Sequence, residues 1–291
     1  MLQDEKRTST YRNAILGNKH LFRGKVVMDV GCGTGILSMF AAQAGAAKII
    51  GIDNSAIIER ARKIIKDNNF EDDITLIRGK VEEVSLPEGI ENVDIIVSEW
   101  MGQALFYESV LSTIIYARDK WLKPGGLIFP DRVALYLAGI EGEEELELSM
   151  NCWKDYYGLN MEAMRQWRLF EASIESIIPT RVVTNSCLVK NVDIYRIKEE
   201  DLSFTSQIHL QSRTDSLIHG FVLFFEVEFT SCVMRTGFST SPLAYYTHWN
   251  HLTIYFDGKT LNTKKGEELF GSIRINPNSI VRVNIYLYII Q

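Results

Sequence analysis

The chain contains only four cysteines (Cys32, Cys152, Cys187 and Cys232), and no two of them form a CxxC pair. Neither a zinc site nor a disulfide scaffold is indicated, and no metal is expected. No apolar run approaches the roughly 20 residues that cross a bilayer, so no membrane partner is expected. The first residues, Met-Leu-Gln-Asp-Glu-Lys-Arg, lack the basic-then-apolar layout of a secretory signal. These absences point to a reducing intracellular setting, the cytoplasm and/or nucleus. Basic residues are in deficit: 31 Lys and Arg against 37 Asp and Glu give a formal charge of -6. That balance argues against a broad nucleic-acid-binding surface and suits a basic partner. Internal repeats and low-complexity tracts are also missing.

What is present is ordinary for a globular protein: 291 residues, 46% hydrophobic and 23% charged, enough for two domains or one large one. The first third alternates two kinds of segment. Lys25–Val30, Lys48–Asp53, Ile74–Arg78, Val93–Val97 and Leu127–Phe129 are short apolar runs that read as strands. Ile36–Ala44, Ala56–Asp67 and Leu111–Leu122 have helical composition. Ser55 or Asn54 is placed to cap the second helix, and Lys123-Pro-Gly-Gly126 to end the third. Apolar strands alternating with helices predict a parallel, doubly wound α/β sheet.

The pattern changes near Pro130. Val133–Gly139, Arg181–Val189, Ser206–Leu210, His219–Phe229, Leu252–Phe256 and Val281–Ile290 read as strands separated by turns, which predicts an antiparallel sandwich or barrel. The expected domains are therefore 1–130 and 131–291. Cys152–Glu175 is the exception, partly helical in composition and carrying Trp153, Tyr156, Tyr157 and Trp167. Those aromatics suit a core, and they equally suit a projecting contact arm.

Two segments carry chemistry. In the first, Gly31-Cys-Gly-Thr-Gly35 follows a strand and opens a helix, with glycines that permit positive φ and close approach to a ligand. Its GxGxG spacing departs from the dinucleotide GxGxxG, with the third glycine one place early. Asp53, 22 residues after Gly31, ends the second strand where a carboxylate can accept from a ribose diol. In the second, Ser98-Glu-Trp-Met-Gly-Gln-Ala-Leu-Phe-Tyr-Glu-Ser109 sets Glu99 and Glu108 at the ends of one loop, fenced by Trp100 and Tyr107. Two close carboxylates repel each other unless a cation relieves them. A guanidinium, planar and permanently charged, is the natural guest.

With Asp29 before the glycine loop and Glu82-Glu83 after the third strand, the first set resembles the S-adenosylmethionine pocket of class I (Rossmann-like) methyltransferases. That ligand carries a sulfonium and an ammonium but no phosphate, so acidic surroundings suit it. Across nearly its whole length the chain resembles the protein arginine N-methyltransferases, nearest the type I branch that forms asymmetric dimethylarginine. The resemblance rests on Val27–Gly35, Gly79-Lys-Val-Glu82, Ser98–Gly102 with Tyr107-Glu108-Ser109, and Thr247-His-Trp249. Ala117–Leu122, Leu127–Asp131 and Arg235–Pro242 add to it.

The resemblance implies a methyltransferase domain, a β-barrel substrate-binding domain and an inserted helical dimerisation arm at about 152–175, in a head-to-tail homodimer. It implies that Arg7 holds the cofactor carboxylate and that Gly31, Gly33 and Gly35 of the loop, above Asp29, pack on the methionine part. Asp53 then binds the ribose, and Val81 with Glu82 the adenine. Glu99 and Glu108 become the catalytic pair, and His248, paired with Asp4, helps proton release. Met1, Trp100, Met101, Tyr107 and Trp249 border the arginine. His20, His209, His219 and His251 match no site motif. The implied substrates are Arg/Gly-rich proteins or histone tails. Val110 and Gln103 stand where the branch has methionine and tyrosine. The family also has a helix ahead of the position of Met1, with a Tyr-Phe-x-x-Tyr motif, and a further strand after Gln291. Without that lid, cofactor retention and water exclusion are expected to suffer, and the alternative to an active enzyme is a catalytically weak regulatory subunit.

Overall fold

A computed structural model of the chain describes residues 2–142, 151–164, 172–256, 260–277 and 283–290. The N-terminal half is built on five parallel strands: β1 (Val26–Val30), β2 (Lys48–Asp53), β3 (Ile74–Arg78), β4 (Val93–Ser98) and β5 (Leu122–Phe129). Their order is β3-β2-β1-β4-β5, so the chain reverses direction across the sheet between β1 and β4. Residues at the carboxyl ends of those two strands border the crevice where such sheets bind ligands. Val27 to Val30 and Ile49 to Ile52 are buried throughout, because helices cover the sheet.

Around this sheet lie α1 (Glu5–Leu16), α2 (Lys19–Phe22), α3 (Ile36–Gln43), α4 (Ile57–Asp67) and α5 (Leu111–Trp121). In α4 the buried Ile58, Ala61 and Ile65 form one stripe, and in α1 Tyr11, Ala14 and Ile15 do the same. One local expectation fails. Ala56 takes the cap position of α4 without a side-chain hydrogen bond, because Ser55 instead donates its hydroxyl and amide to Asp53 Oδ1, at 2.6 and 2.8 Å. Helix α5 ends just before Lys123-Pro-Gly-Gly126, as expected, and that stretch already belongs to β5, where a register shift against Val93–Ile95 accommodates it.

Beyond Pro130 the pairing becomes antiparallel. One sheet contains β6 (Arg132–Ile140), β7 (Ser173–Glu175), β8 (Cys187–Asp193), β11 (Gly220–Glu228), β12 (Gly237–Ser239) and β13 (His251–Tyr255). A second joins β9 (Phe204–Gln211), β15 (Glu268–Pro277) and β16 (Val283–Ile290), and a third pairs β10 (Ser216–Ile218) with β14 (Leu261–Thr263). The strand expected at Arg181–Val189 lies later, at Cys187–Asp193, and Arg181 itself ends a 3-10 turn, Pro179–Arg181. Of the expected 152–175 segment, residues 165–171, including Trp167, lie outside the described residues. The stretch 151–164 is turns closed by a Tyr156–Leu159 bridge.

One apolar cluster runs through both halves, from Tyr11 and Val27 to Leu269 and Ile275. At their junction Phe229 packs on Tyr11 at 5.1 Å and on Phe129 at 6.0 Å between ring centroids. Arg118 of α5 donates through Nη1 to the carbonyls of Ile194 and Ile197, at 2.6 and 2.7 Å. Asp131 accepts from the amide and hydroxyl of Thr230.

Candidate active site

At the end of β1 the chain turns through Gly31, Gly33 and Gly35 at φ 71°, 54° and 82°, values at which an L side chain is strained. Asp53, at the end of β2, straps this turn: its Oδ2 accepts from Gly33 N at 2.8 Å. Asp29 lies beneath, 1% exposed, with Oδ2 accepting from Ser38 Oγ at 2.6 Å and Oδ1 without a partner. Burial pushes its carboxyl up to about 6. Burial, with Asp29 and Asp53 nearby, raises the Cys32 thiol as well, so this cysteine packs and does not act as a nucleophile.

A cleft of about 700 Å³ opens over the strand ends, lined by Gly31, Asp53, Val81 and Glu82 together with Val110 and Thr113 of the next segment. Arg7, Asp29, Gly33 and Gly35 are outside that lining. Thr113 was not expected here. It donates to Glu82 Oε1 at 2.8 Å, and Tyr116 donates to the Glu82 carbonyl at 3.1 Å, so one face of α5 fixes this acidic residue. The recognisable signal was position, since Thr113 lies in the first helical turn after the acidic loop.

The second part of the site is assembled by α1. Asp4 caps this helix, its Oδ1 accepting from Arg7 N at 2.9 Å, while Oδ2 accepts from His248 N at 2.8 Å and Nδ1 at 2.7 Å. Burial raises the Asp4 pKa, but these hydrogen bonds outweigh it and the net shift is downward. His248 is also lowered, by burial against the opposing pull of Asp4, so its ring is neutral near pH 7. Arg7 reaches Glu99, Nη2 to Oε2 at 3.3 Å, with both side chains almost fully buried. Burial pushes Glu99 up to about 7 despite that guanidinium. Arg7 Nε is buried and has no acceptor. Tyr11, also not anticipated, donates to Ser98 O at 2.9 Å and ties α1 to the end of β4.

The structure brings Glu99, Arg7, Asp4 and His248 together but leaves Glu108 apart. Glu108 is exposed at φ 56°, and among the described residues no hydrogen bond or ion pair joins it to that group. Its loop is coiled tightly: Ala104 and Leu105 also have positive φ, at 44° and 70°, and Gly102 pairs with Leu105. Trp100, Met101 and Trp249 are buried, Trp249 Nε1 donating to Met101 O at 3.0 Å and stacking on Phe238, while Tyr107 is half-buried. Met1 lies outside the described residues.

An acid-lined cleft fits a cationic, phosphate-free ligand, and the buried donor of Arg7 without an acceptor fits a carboxylate at the ligand's end. The comparisons agree with that chemistry. The family model described as arginine methyltransferase oligomerization subdomain matches residues 131–287, and that described as methyltransferase domain matches residues 27–126. Protein arginine N-methyltransferase 8-B of Danio rerio is 52% identical over 278 residues, 96% of this chain and 66% of that protein. Protein arginine N-methyltransferase 1 of Caenorhabditis elegans is 50% identical over 279 residues, covering 96% and 80%. A solved structure of the Trypanosoma brucei PRMT1 enzyme-prozyme heterotetrameric complex with AdoHcy superposes with a TM-score of 0.93 at 40% identity, covering 99% of this chain and 91% of that one.

Proposed function

The chain belongs to the protein arginine N-methyltransferase family of S-adenosylmethionine-dependent enzymes, and on that footing we propose how its own residues methylate arginine. The observation that carries the reading is the relay from His248 through Asp4 and Arg7 to Glu99, which joins a barrel loop to the sheet edge through the first turn of α1. The division at 130/131 follows the change from parallel to antiparallel pairing.

Arg7 holds the cofactor carboxylate, for which its buried Nε is ready, and Gly31 and Gly33 lie against the methionine part. Asp53 accepts from the ribose, and Val81 with Glu82 receives the adenine. When bound, the cofactor supplies the electrophilic methyl group. A guanidinium is poorly nucleophilic because its charge is delocalised and its pKa exceeds about 12. Glu99 therefore grips one edge, and Glu108 the other once the loop turns inward. Together they draw positive charge away from the attacking nitrogen. Alignment of that nitrogen by both carboxylates is worth roughly 7–11 kcal/mol of barrier lowering. His248, neutral and held by Asp4 through Nδ1, leaves its Nε2 lone pair to accept the proton released. Trp100, Met101 and Trp249 act from the core as the packed back wall, with Met1 and Tyr107 bordering the substrate.

The substrates are Arg/Gly-rich proteins or histone tails, supported by the acidic balance of the chain, and the products are monomethyl and asymmetric dimethylarginine. The working unit is a homodimer, supported by the oligomerization subdomain. Its setting is the cytoplasm and/or nucleus, supported by four free cysteines and by the lack, among the described residues, of a helix able to cross a membrane. With Glu99, Glu108 and His248 all present, no observation favours a regulatory subunit. The test is transfer of labelled methyl to a single-arginine, glycine-flanked peptide, with the product read by mass spectrometry. Glu108→Gln is expected to lower kcat about 10²–10³-fold while the protein stays folded. A folded wild-type chain that transfers nothing alone, and gains activity only when mixed with a second family member, would overturn the reading.

A further inference from the structure

The two loops that build the site leave the sheet side by side. Val30 and Ser98 are the last paired residues of β1 and β4. After them one chain enters the glycine loop, and the other enters the acidic loop that begins with Glu99. At this point of divergence side chains carry the join. Ser98 Oγ donates to the carbonyl of Val30 at 2.7 Å, and the hydroxyl of Tyr11 on α1 donates to the carbonyl of Ser98 at 2.9 Å. Val30 and Ser98 are 1% exposed and Tyr11 is fully buried, so neither hydroxyl can exchange its partner for water.

Tyr11 reaches the same point by a second route. Arg7 lies one helical turn before it on α1, with its Cζ 5.5 Å from the centre of the Tyr11 ring. That guanidinium stands 3.3 Å from the Glu99 carboxylate. Ser98 is therefore held at its carbonyl and Glu99 at its carboxylate by neighbouring side chains of one helix, and Tyr11 touches both routes. Phe229, just past β11, packs edge-on against the Tyr11 ring at 5.1 Å and steadies it from the barrel. Burial and the nearby charge of Glu99 push the Tyr11 hydroxyl well above the ordinary tyrosine value, so it stays protonated and remains a donor.

A buried hydroxyl is a poor way to fill space, because its desolvation must be offset by the bond it makes. What two such bonds at one junction supply is position. A carboxylate that must align a guanidinium with a methyl donor loses rate when it is displaced by about an ångström. We propose that Tyr11 and Ser98 form a positioning latch for methyl transfer, which ties the start of the acidic loop to the end of β1 and so sets where Glu99 stands relative to a methyl donor held at the glycine loop. Both residues act through Glu99. This rests on the reading of Glu99 as a carboxylate that grips the arginine.

The test uses the full chain and compares kcat, peptide KM, calorimetric affinity for the methyl donor and thermal unfolding. Tyr11→Phe keeps the ring against Arg7 and Phe229 and removes only the donor. Its kcat is expected to fall about tenfold, while peptide KM and donor affinity stay within about twofold. Ser98→Ala releases Val30 with Tyr11 in place and is expected to do the same. In the double variant the loss in kcat is expected to be smaller than the product of the single losses, because both bonds hold one residue. Tyr11→Leu removes the ring as well. It is expected to weaken donor affinity about fivefold and to move the pH break in kcat/KM above 7, since Arg7, no longer seated, opposes the burial of Glu99 less. Folded Tyr11→Phe with wild-type kcat overturns the latch, as do single losses that multiply in the double variant or fall equally on kcat and donor affinity. If Tyr11→Phe does not fold, Ser98→Ala decides by the same criterion. A folded wild-type chain inactive on the peptide overturns the reading of Glu99 and the latch with it, whereas an active wild type beside unaffected variants overturns the latch alone.

Discussion

Glu99 is a carboxylate whose surroundings oppose its charge until a cation arrives. Burial raises it to about 7, and Arg7 is the main group that offsets this. The sign follows directly: below about pH 7 the free enzyme holds Glu99 protonated, and above it the anion needed by a guanidinium is present. kcat/KM, which reports groups of the free enzyme, is expected to rise about tenfold per pH unit below 7 and to level off above it. His248 is shifted downward by burial, so it stays neutral above pH 7. A pH profile without a break near 7 would contradict the assignment. Asp4 has two duties, which substitution separates. Asp4→Asn keeps an oxygen for the α1 cap but turns an amide donor toward His248, so kcat is expected to fall about 10²-fold with little change in stability. Asp4→Ala also loses the cap, about 1 kcal/mol more in chemical denaturation. None of this was legible beyond the pairing itself, since a pKa depends on burial that composition does not reveal.

Among the elements, the loop after β4 holds three non-glycine residues at positive φ, Ala104, Leu105 and Glu108. A β-carbon at Gly102 would lie 1.7 Å from the carbonyl oxygen of Tyr107 and 2.8 Å from Ser109 N, both backbone atoms that cannot swing aside. Gly102→Ala is expected to cost about 2 kcal/mol in thermal unfolding and to lower transfer more than 10²-fold. Calorimetric cofactor affinity should persist, because Gly31, Asp53 and Val81 belong to other segments. The parallel half was readable because its strands are apolar on both faces and its turns are glycine-marked. Helix α1 was not, since its buried face mixes polar Arg7 and Thr10 with apolar Tyr11, Ala14 and Ile15 along Glu5–Leu16. The cap at Ser55 lost to a nearby competitor, Asp53, that propensity does not weigh. Arg181–Val189 looked like a strand from its β-branched residues, but Arg181 is held in a turn by partners at Glu141, Glu175 and Tyr255, distant in sequence. Strands β12 and β14, of three residues each, are too short to show a period.

At the scale of the molecule, α5 links the halves: its first turn steadies Glu82 and its last holds the barrel through Arg118. Arg118→Ala leaves the carbonyls of Ile194 and Ile197 without that donor and is expected to lower stability by about 2–3 kcal/mol in urea. A spectroscopic probe in each half should then show separated transitions, where the wild type shows one. The two-part organisation could be read from the change of pattern at Pro130. The contacts that align the parts could not, because each joins residues remote along the chain.

The hydrogen bond between Asp4 and His248 spans 244 positions. During synthesis all five strands of the parallel sheet have been made by residue 130, yet the histidine partner of Asp4 is still more than a hundred codons away. The two ends of this hydrogen bond are therefore made far apart in time, and the N-terminal helix waits for its barrel partner through most of the synthesis of the chain.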